Sequence, residues 1–262
     1  SGDWSSDVCS SDLSHVCSFL QYGKPDNDIL LYYPIYDIWH NEEGLAKPLP
    51  VVPNDLKTAA NTLRSQGYTF DYISDKQIKQ TRYEENRLIT GGGNDYKAII
   101  LPSVQFLPFE TLAHLTELAE VGATIIFSGG LPEGVPGFGR LKERRRRFQK
   151  LKKRLKDYHT ENKIDGKIIL SEEPVANVLP GNANVSREPM ADLGLQFVRR
   201  SYNGGHHYFI KNSSSREING YVSLATDARA VAIFDPMEER SGMAAMQTNR
   251  QGVTKVLLQL KP

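Results

Sequence analysis

The sequence predicts an α/β chain: a doubly wound domain built on a parallel sheet, followed by a partial β-sandwich. Three observations carry this reading. Continuous apolar runs alternate with amphipathic stripes from about residue 23 to residue 171. After a Pro- and Asn-rich stretch the apolar period shifts to that of short strands. The length, 262 residues, suffices for two hydrophobic cores.

Residues 1–13 are set apart from both domains. Asp3 to Leu13 reads DWSSDVCSSDL, which repeats Ser-Ser-Asp, has no usable period and resembles the translation of a sequencing-library adaptor. The expectation is a disordered artefact joined to an interrupted native sequence. In residues 14–22, Val16, Phe19 and Leu20 fall at helical spacing, as at the end of a truncated helix.

The first domain, 23–171, opens with Asp28-Ile-Leu-Leu-Tyr-Tyr33, an apolar run suited to a strand buried on both faces. A long loop is expected from Pro34 to Pro53. Asn54 or Asp55 then caps a helix with a Leu56, Ala59, Ala60, Leu63 stripe that stops at Gly67. Phe70 to Ile73 and Lys97 to Leu101 read as further strands. A helix striped by Leu112, Leu115, Leu118 and Ala119 leads to a strand at Ala123 to Ser128. Leu141 to Tyr158 is a long helix, and Lys167 to Leu170 a fifth strand. Such alternation implies right-handed crossovers and a flavodoxin-like sheet. Residues 172–186 read as a linker. In 187–262, Leu195 to Tyr202 and His206 to Lys211 form a hairpin across Asn203-Gly204-Gly205, and three further strands follow before the C-terminus, which is expected to be truncated.

Charge and composition exclude several classes. Lys plus Arg (32) nearly balances Asp plus Glu (31), so the whole chain calls for no acidic partner. No apolar run approaches the roughly 20 residues of a membrane helix. Cys9 and Cys17 have no metal-type spacing with His. Gly134, Gly137 and Gly139 are in the wrong order for a dinucleotide fingerprint, and no Lys-Ser/Thr follows a Gly-rich loop. The strand-to-helix turns carry Ser103 and Ser128 without a nucleophilic Cys or a G-x-S-x-G elbow. No spacing singles out a pair of catalytic carboxylates, so no catalytic residue and no metal ligand is assigned.

Three groups remain as candidate sites. Tyr36, Asp37, Trp39 and His40 follow a buried strand, and aromatic rings beside a carboxylate suit a sugar-binding wall; a loop that folds its aromatics onto a neighbouring domain accounts for them at least as well. His206 and His207, adjacent in a strand, point to opposite faces; a single substrate-contacting His is the functional option. Arg144, Arg145, Arg146 and Arg147 belong to a basic helix with a Phe148, Leu151, Leu155 and Tyr158 stripe. They offer an anion-binding face, but no aromatic interleaving or nucleic-acid motif accompanies them, and an amphipathic helix docked by its stripe is the reading the pattern favours.

The segment Ser18-Phe-Leu-Gln-Tyr-Gly-Lys-Pro-Asp-Asn-Asp-Ile-Leu-Leu-Tyr-Tyr-Pro-Ile-Tyr-Asp-Ile-Trp39 resembles glycoside hydrolase family 106, the α-L-rhamnosidases. Asn203-Gly-Gly-His-His-Tyr-Phe-Ile-Lys-Asn212 and Phe234-Asp-Pro-Met237 with Ser241-Gly242 resemble later parts of that family, in the same order. The resemblance implies a bacterial, periplasmic or secreted enzyme that removes terminal L-rhamnose from plant glycans by inversion, with calcium assistance. It places the acid and base glutamates in a (β/α) barrel before Ser14. The expected chain is therefore an accessory C-terminal part, inactive alone, without a cofactor of its own. Its partners would be that barrel and, through the parent enzyme, a rhamnose-containing glycan; no membrane or nucleic-acid partner is expected. The alternative is a stand-alone flavodoxin-like binding module for a polyanion, nucleotide or glycan. The resemblance does not explain the run Arg144 to Arg147.

Overall fold

The computed structural model describes residues 16–40, 52–161, 166–235, 240–248 and 253–262. Residues 1–15, with the adaptor-like stretch and Cys9, lie outside them, as does Met237 of the quoted Phe234-Asp-Pro-Met237 segment. The chain divides into an α/β unit, Asn27–Arg64 with Tyr68–Ser186, and a β-rich unit, Ser1–Asp26, Ser65–Gly67 and Arg187–Pro262.

Strand β1 (Lys24–Pro25) belongs to the β-rich unit. The α/β unit begins with β2 (Ile29–Tyr32) and continues through β3 (Phe70–Ile73), β4 (Arg82–Glu84), β5 (Arg87–Ile89), β6 (Asp95–Tyr96), β7 (Ala98–Leu101), β8 (Thr124–Ser128) and β9 (Lys167–Ser171). Five of these form one parallel sheet in the order β3-β2-β7-β8-β9. The flavodoxin-like expectation holds: β2, β7 and β8 are short, continuous apolar runs, each leading into a helix, while the connection from β3 to β7 runs through the short helix Asp75–Ile78 and strands β4 to β6.

Alternation along the strands divides the core into two layers. Leu30, Tyr32, Ile99, Leu101, Ile125 and Phe127 face Leu112, Leu115, Phe148 and Leu155. Ile29, Leu31, Ile100 and Ile126 face Leu56, Leu63, Val175 and Leu179 on the other side. Each such side chain contributes about 1.5–3 kcal/mol through burial. The basic helix, Leu141–Glu161, docks through Phe148 and Leu155, both buried, with Leu151 and Tyr158 packed beside them. Its charge run is the solvent side of an amphipathic helix.

Four details differ from the sequence expectation. Part of the loop after Tyr33 is a helix, Ile35–His40, with Ile38 buried and its amide bonded to the Pro34 carbonyl. Pro34 supplies the fixed φ of a first turn and lacks only a donor that a helix start leaves unused. Strands β4, β5 and β6 form a small antiparallel sheet, turned by Glu85 and Asn86 at positive φ of 51° and 61°. The stretch read as a linker is part of the α/β unit: Val175, Val178 and Leu179 are buried in its second layer. The α/β unit starts at Asn27, because Lys24 and Pro25 pair with Ser201 and Arg200.

The β-rich unit holds β10 (Leu195–Tyr202), β11 (Gly205–Asn212), β12 (Ile218–Leu224), β13 (Ala232–Asp235), β14 (Arg240–Met243), β15 (Met246–Thr248) and β16 (Thr254–Leu260). They form sheets β1-β10-β11, β12-β16-β15 and β13-β14. The expected hairpin is present, but its turn is two residues, Asn203 and Gly204, with φ of 42° and 78°; Gly205, read with the turn, pairs with Tyr202 as the first residue of β11. Met190, Leu195, Val222, Leu224, Val256 and Leu258 form its core.

Candidate functional site

In an open parallel sheet, ligands bind beyond the carboxyl ends of the strands, where the crossover direction reverses. That point lies between β2 and β7. The segments leaving it are Tyr33 to His40 and Pro102 to Pro108. The first carries Tyr36, Asp37, Trp39 and His40 on its short helix. Ile38 anchors that helix inward, leaving Trp39 56% exposed.

Asp37 joins the two segments. Its carboxylate accepts hydrogen bonds from the Phe106 amide at 2.7 Å and the Gln105 amide at 2.8 Å. Burial raises its pKa above the ordinary aspartate value, against the opposing pull of these amides. Asp37 thus fills the anion position that successive backbone N–H groups create, and its role is to hold the loop. Tyr36 meets Trp39 edge to face with ring centroids 5.5 Å apart, and His40 meets Phe106 at 4.5 Å. Beneath them, the buried Tyr32 hydroxyl donates to Asp75, as does the Thr111 hydroxyl. Burial, then the Asp75 charge, raises the Tyr36 phenol.

Phe106 also lines an open cleft of about 410 Å³ with Glu133, Gly134, Arg145, Arg146, Phe148 and Gln149. The four consecutive arginines divide here into different roles. Arg144 donates to the carbonyls of Pro136, Gly137 and Gly139, tying down the Gly-rich turn before its helix. Arg147 lies over the Phe109 ring, 4.3 Å from its centroid. Arg145 and Arg146 face the cleft, and neither forms a hydrogen bond or ion pair with another described residue. Sequence reasoning missed Phe106 and Glu133, which come from loops without periodic signal.

His206 and His207 belong to the β-rich unit and face opposite sides of β11. His207 packs on Phe19 with centroids 4.7 Å apart. Burial, then the Arg200 charge, lowers its pKa. His206 places Nδ1 2.8 Å from an Asp26 oxygen. Asp26 in turn faces Arg199 Nε at 2.8 Å. Burial pushes the Asp26 carboxyl up, but His206 and Arg199 outweigh it and hold the group below its ordinary 3.8.

Behind this pair lies Glu188, completely buried. It accepts from Arg199 Nη1 and the Tyr208 hydroxyl at 2.9 Å, and from the Ala225 amide at 2.8 Å. The network is closed on itself and reads as structural. Sequence reasoning missed Glu188 because nothing local distinguishes it from an exposed acid.

Comparison with known proteins decides the family. The sequence profile of glycoside hydrolase family 106, described as α-L-rhamnosidase, matches residues 7–246. The chain belongs to this family. The match begins within the Ser-rich stretch and spans most of both units. Among solved structures, the rhamnosidase from Novosphingobium sp. PP1Y has the same fold, with a TM-score of 0.73 at 19% identity. The alignment covers 97% of this chain and 23% of that one. A Formosa agariphila protein named as a β-glucuronidase is 26% identical over 207 residues, covering 76% of this chain and 16% of that protein. The chain therefore spans less than a quarter of the length of either relative. For this member of family 106, the described residues contain no group of three or more His, Cys, Asp or Glu side chains arranged to hold a metal.

Proposed function

We propose that the chain is the accessory, non-catalytic C-terminal part of a bacterial α-L-rhamnosidase that is exported to the periplasm or secreted. The parent removes terminal L-rhamnose from plant glycans by inversion, and its acid and base glutamates belong to a barrel outside this chain. The observation that carries this reading is the family match over residues 7–246, together with the 23% share of the rhamnosidase chain that the fold alignment covers. The names of the two relatives point to different sugars. Rhamnose is favoured because the family profile spans both units.

The polar groups described here support a supporting role. Asp37 holds a loop, Glu188 closes a buried network, and Asp26 is engaged by Arg199 and His206. None forms the facing carboxylate pair that glycoside hydrolysis needs. The calcium implied by the family finds no carboxylate cluster among the described residues; in this reading it is held by the parent's catalytic part.

Reading the gene upstream of Ser14 in the same frame tests the proposal. A barrel containing paired glutamates is the expected result. A start codon near Ser14 would instead favour the stand-alone binding module, for which the Arg145 and Arg146 cleft is the supporting observation.

A further inference from the structure

We propose that the cleft lined by Arg145 and Arg146 is a subsite for an acidic sugar, a uronate residue within a glycan. The glycan part of this inference rests on the glycosidase reading; the preference for a carboxylate rests on the cleft itself. Two guanidiniums without a hydrogen-bond or ion-pair partner among the described residues line a concave surface whose other charged wall is Glu133. A planar fork of N–H donors matches a carboxylate in shape and charge.

The other walls suit the rest of a pyranose. Phe106 offers an aromatic surface to the C–H groups of the ring, while Glu133 and Gln149 accept or exchange hydrogen bonds with hydroxyls. Glu133 also disfavours a phosphate, whose greater negative charge it would repel more strongly than a single carboxylate.

Gly134 keeps this surface open. A Cβ placed there would lie 3.8 Å from the Phe106 ring, in van der Waals contact, so any larger side chain would extend over that ring. The backbone at Gly134 is bonded through the Gln105 carbonyl and the Leu107 amide, which a side chain would leave in place. Beyond Phe106 the aromatic surface continues through His40, and Tyr36 with exposed Trp39 lies on the same short helix. This gives a neighbouring sugar a platform.

The test is calorimetric titration of the 262-residue chain with trigalacturonate, with galactotriose as the neutral control and single-stranded DNA as the polyanion control. The expected result is binding of trigalacturonate only. It should weaken at least tenfold in Arg145→Gln/Arg146→Gln and separately in Gly134→Leu, which changes shape without changing charge. Thermal melting of each variant must stay near that of the parent chain, since all three positions lie on the cleft surface. Absence of binding, or binding unchanged in both variants, overturns the proposal. DNA binding of equal strength with the same dependence on the arginines overturns it in favour of a general polyanion face. The upstream reading frame, and not this titration, decides the parent's activity, so the two readings fail separately.

Discussion

Two charged clusters, one in each unit, are placed in opposite ways. In the β-rich unit, Glu188, Arg199, Asp26 and Tyr208 are drawn inward and satisfy one another. At the carboxyl edge of the α/β sheet, Arg145 and Arg146 stay open while Asp37 and Arg144 hold the loops around them. The contrast separates two uses of charge. A buried ion that is fully hydrogen-bonded fixes structure, and its removal is costly. An open pair beside aromatic rings contributes little to folding and remains free to meet a ligand.

The largest effect is expected at the buried network. Glu188→Ala removes the acceptor for Arg199, the Tyr208 hydroxyl and the Ala225 amide together. The β-rich unit should lose about 3–5 kcal/mol in chemical denaturation. A loss below about 1 kcal/mol, the level of a typical exposed pair, would show that the buried network contributes no more than charges left at the surface.

Asp37→Ala should have a smaller and local effect. Two amides lose their acceptor but lie near enough to solvent to find water, so about 1–2 kcal/mol is expected. Hydrogen exchange gives the sharper reading. The Gln105 and Phe106 amides should exchange about tenfold faster, with those of Ile99 and Ile100 in β7 unchanged. Uniform acceleration across the sheet would make Asp37 a determinant of the whole fold instead.

The smallest effect is one of pH. Because the folded Asp26 carboxyl lies below its ordinary 3.8, its contribution is fully present above that value and is lost as pH falls through the lowered one. Denaturation of the β-rich unit should therefore show stability declining with acid below about pH 4, and Asp26→Asn should flatten that limb. An unchanged acid limb would place the responsible group elsewhere.

What the sequence revealed follows from the range of the forces involved. The central parallel strands β2, β7 and β8 were legible because each buries both faces in one short apolar run, and the β10–β11 hairpin because Asn203-Gly204 suits a turn with two positive φ values. The helix Ile35–His40 was hidden, since six residues with only Ile38 buried cannot display a period. Strands β4 to β6 are two or three residues long and largely polar. The pairing of β1 with β10 joins residues far apart in sequence. At the candidate site, Trp39 and the arginines were visible by type, but their division of labour was not. That Arg144 serves a turn while Arg145 faces a cleft depends on which side of one helix each occupies.

In the function proposed above, these residues support a glycosidase without performing its chemistry. The direct measurement is hydrolysis of 4-nitrophenyl α-L-rhamnopyranoside by the purified 262-residue chain, with calcium present. No turnover above buffer is expected. Turnover that copurifies with the chain through successive columns would contradict it, and would place a catalytic pair within these two units.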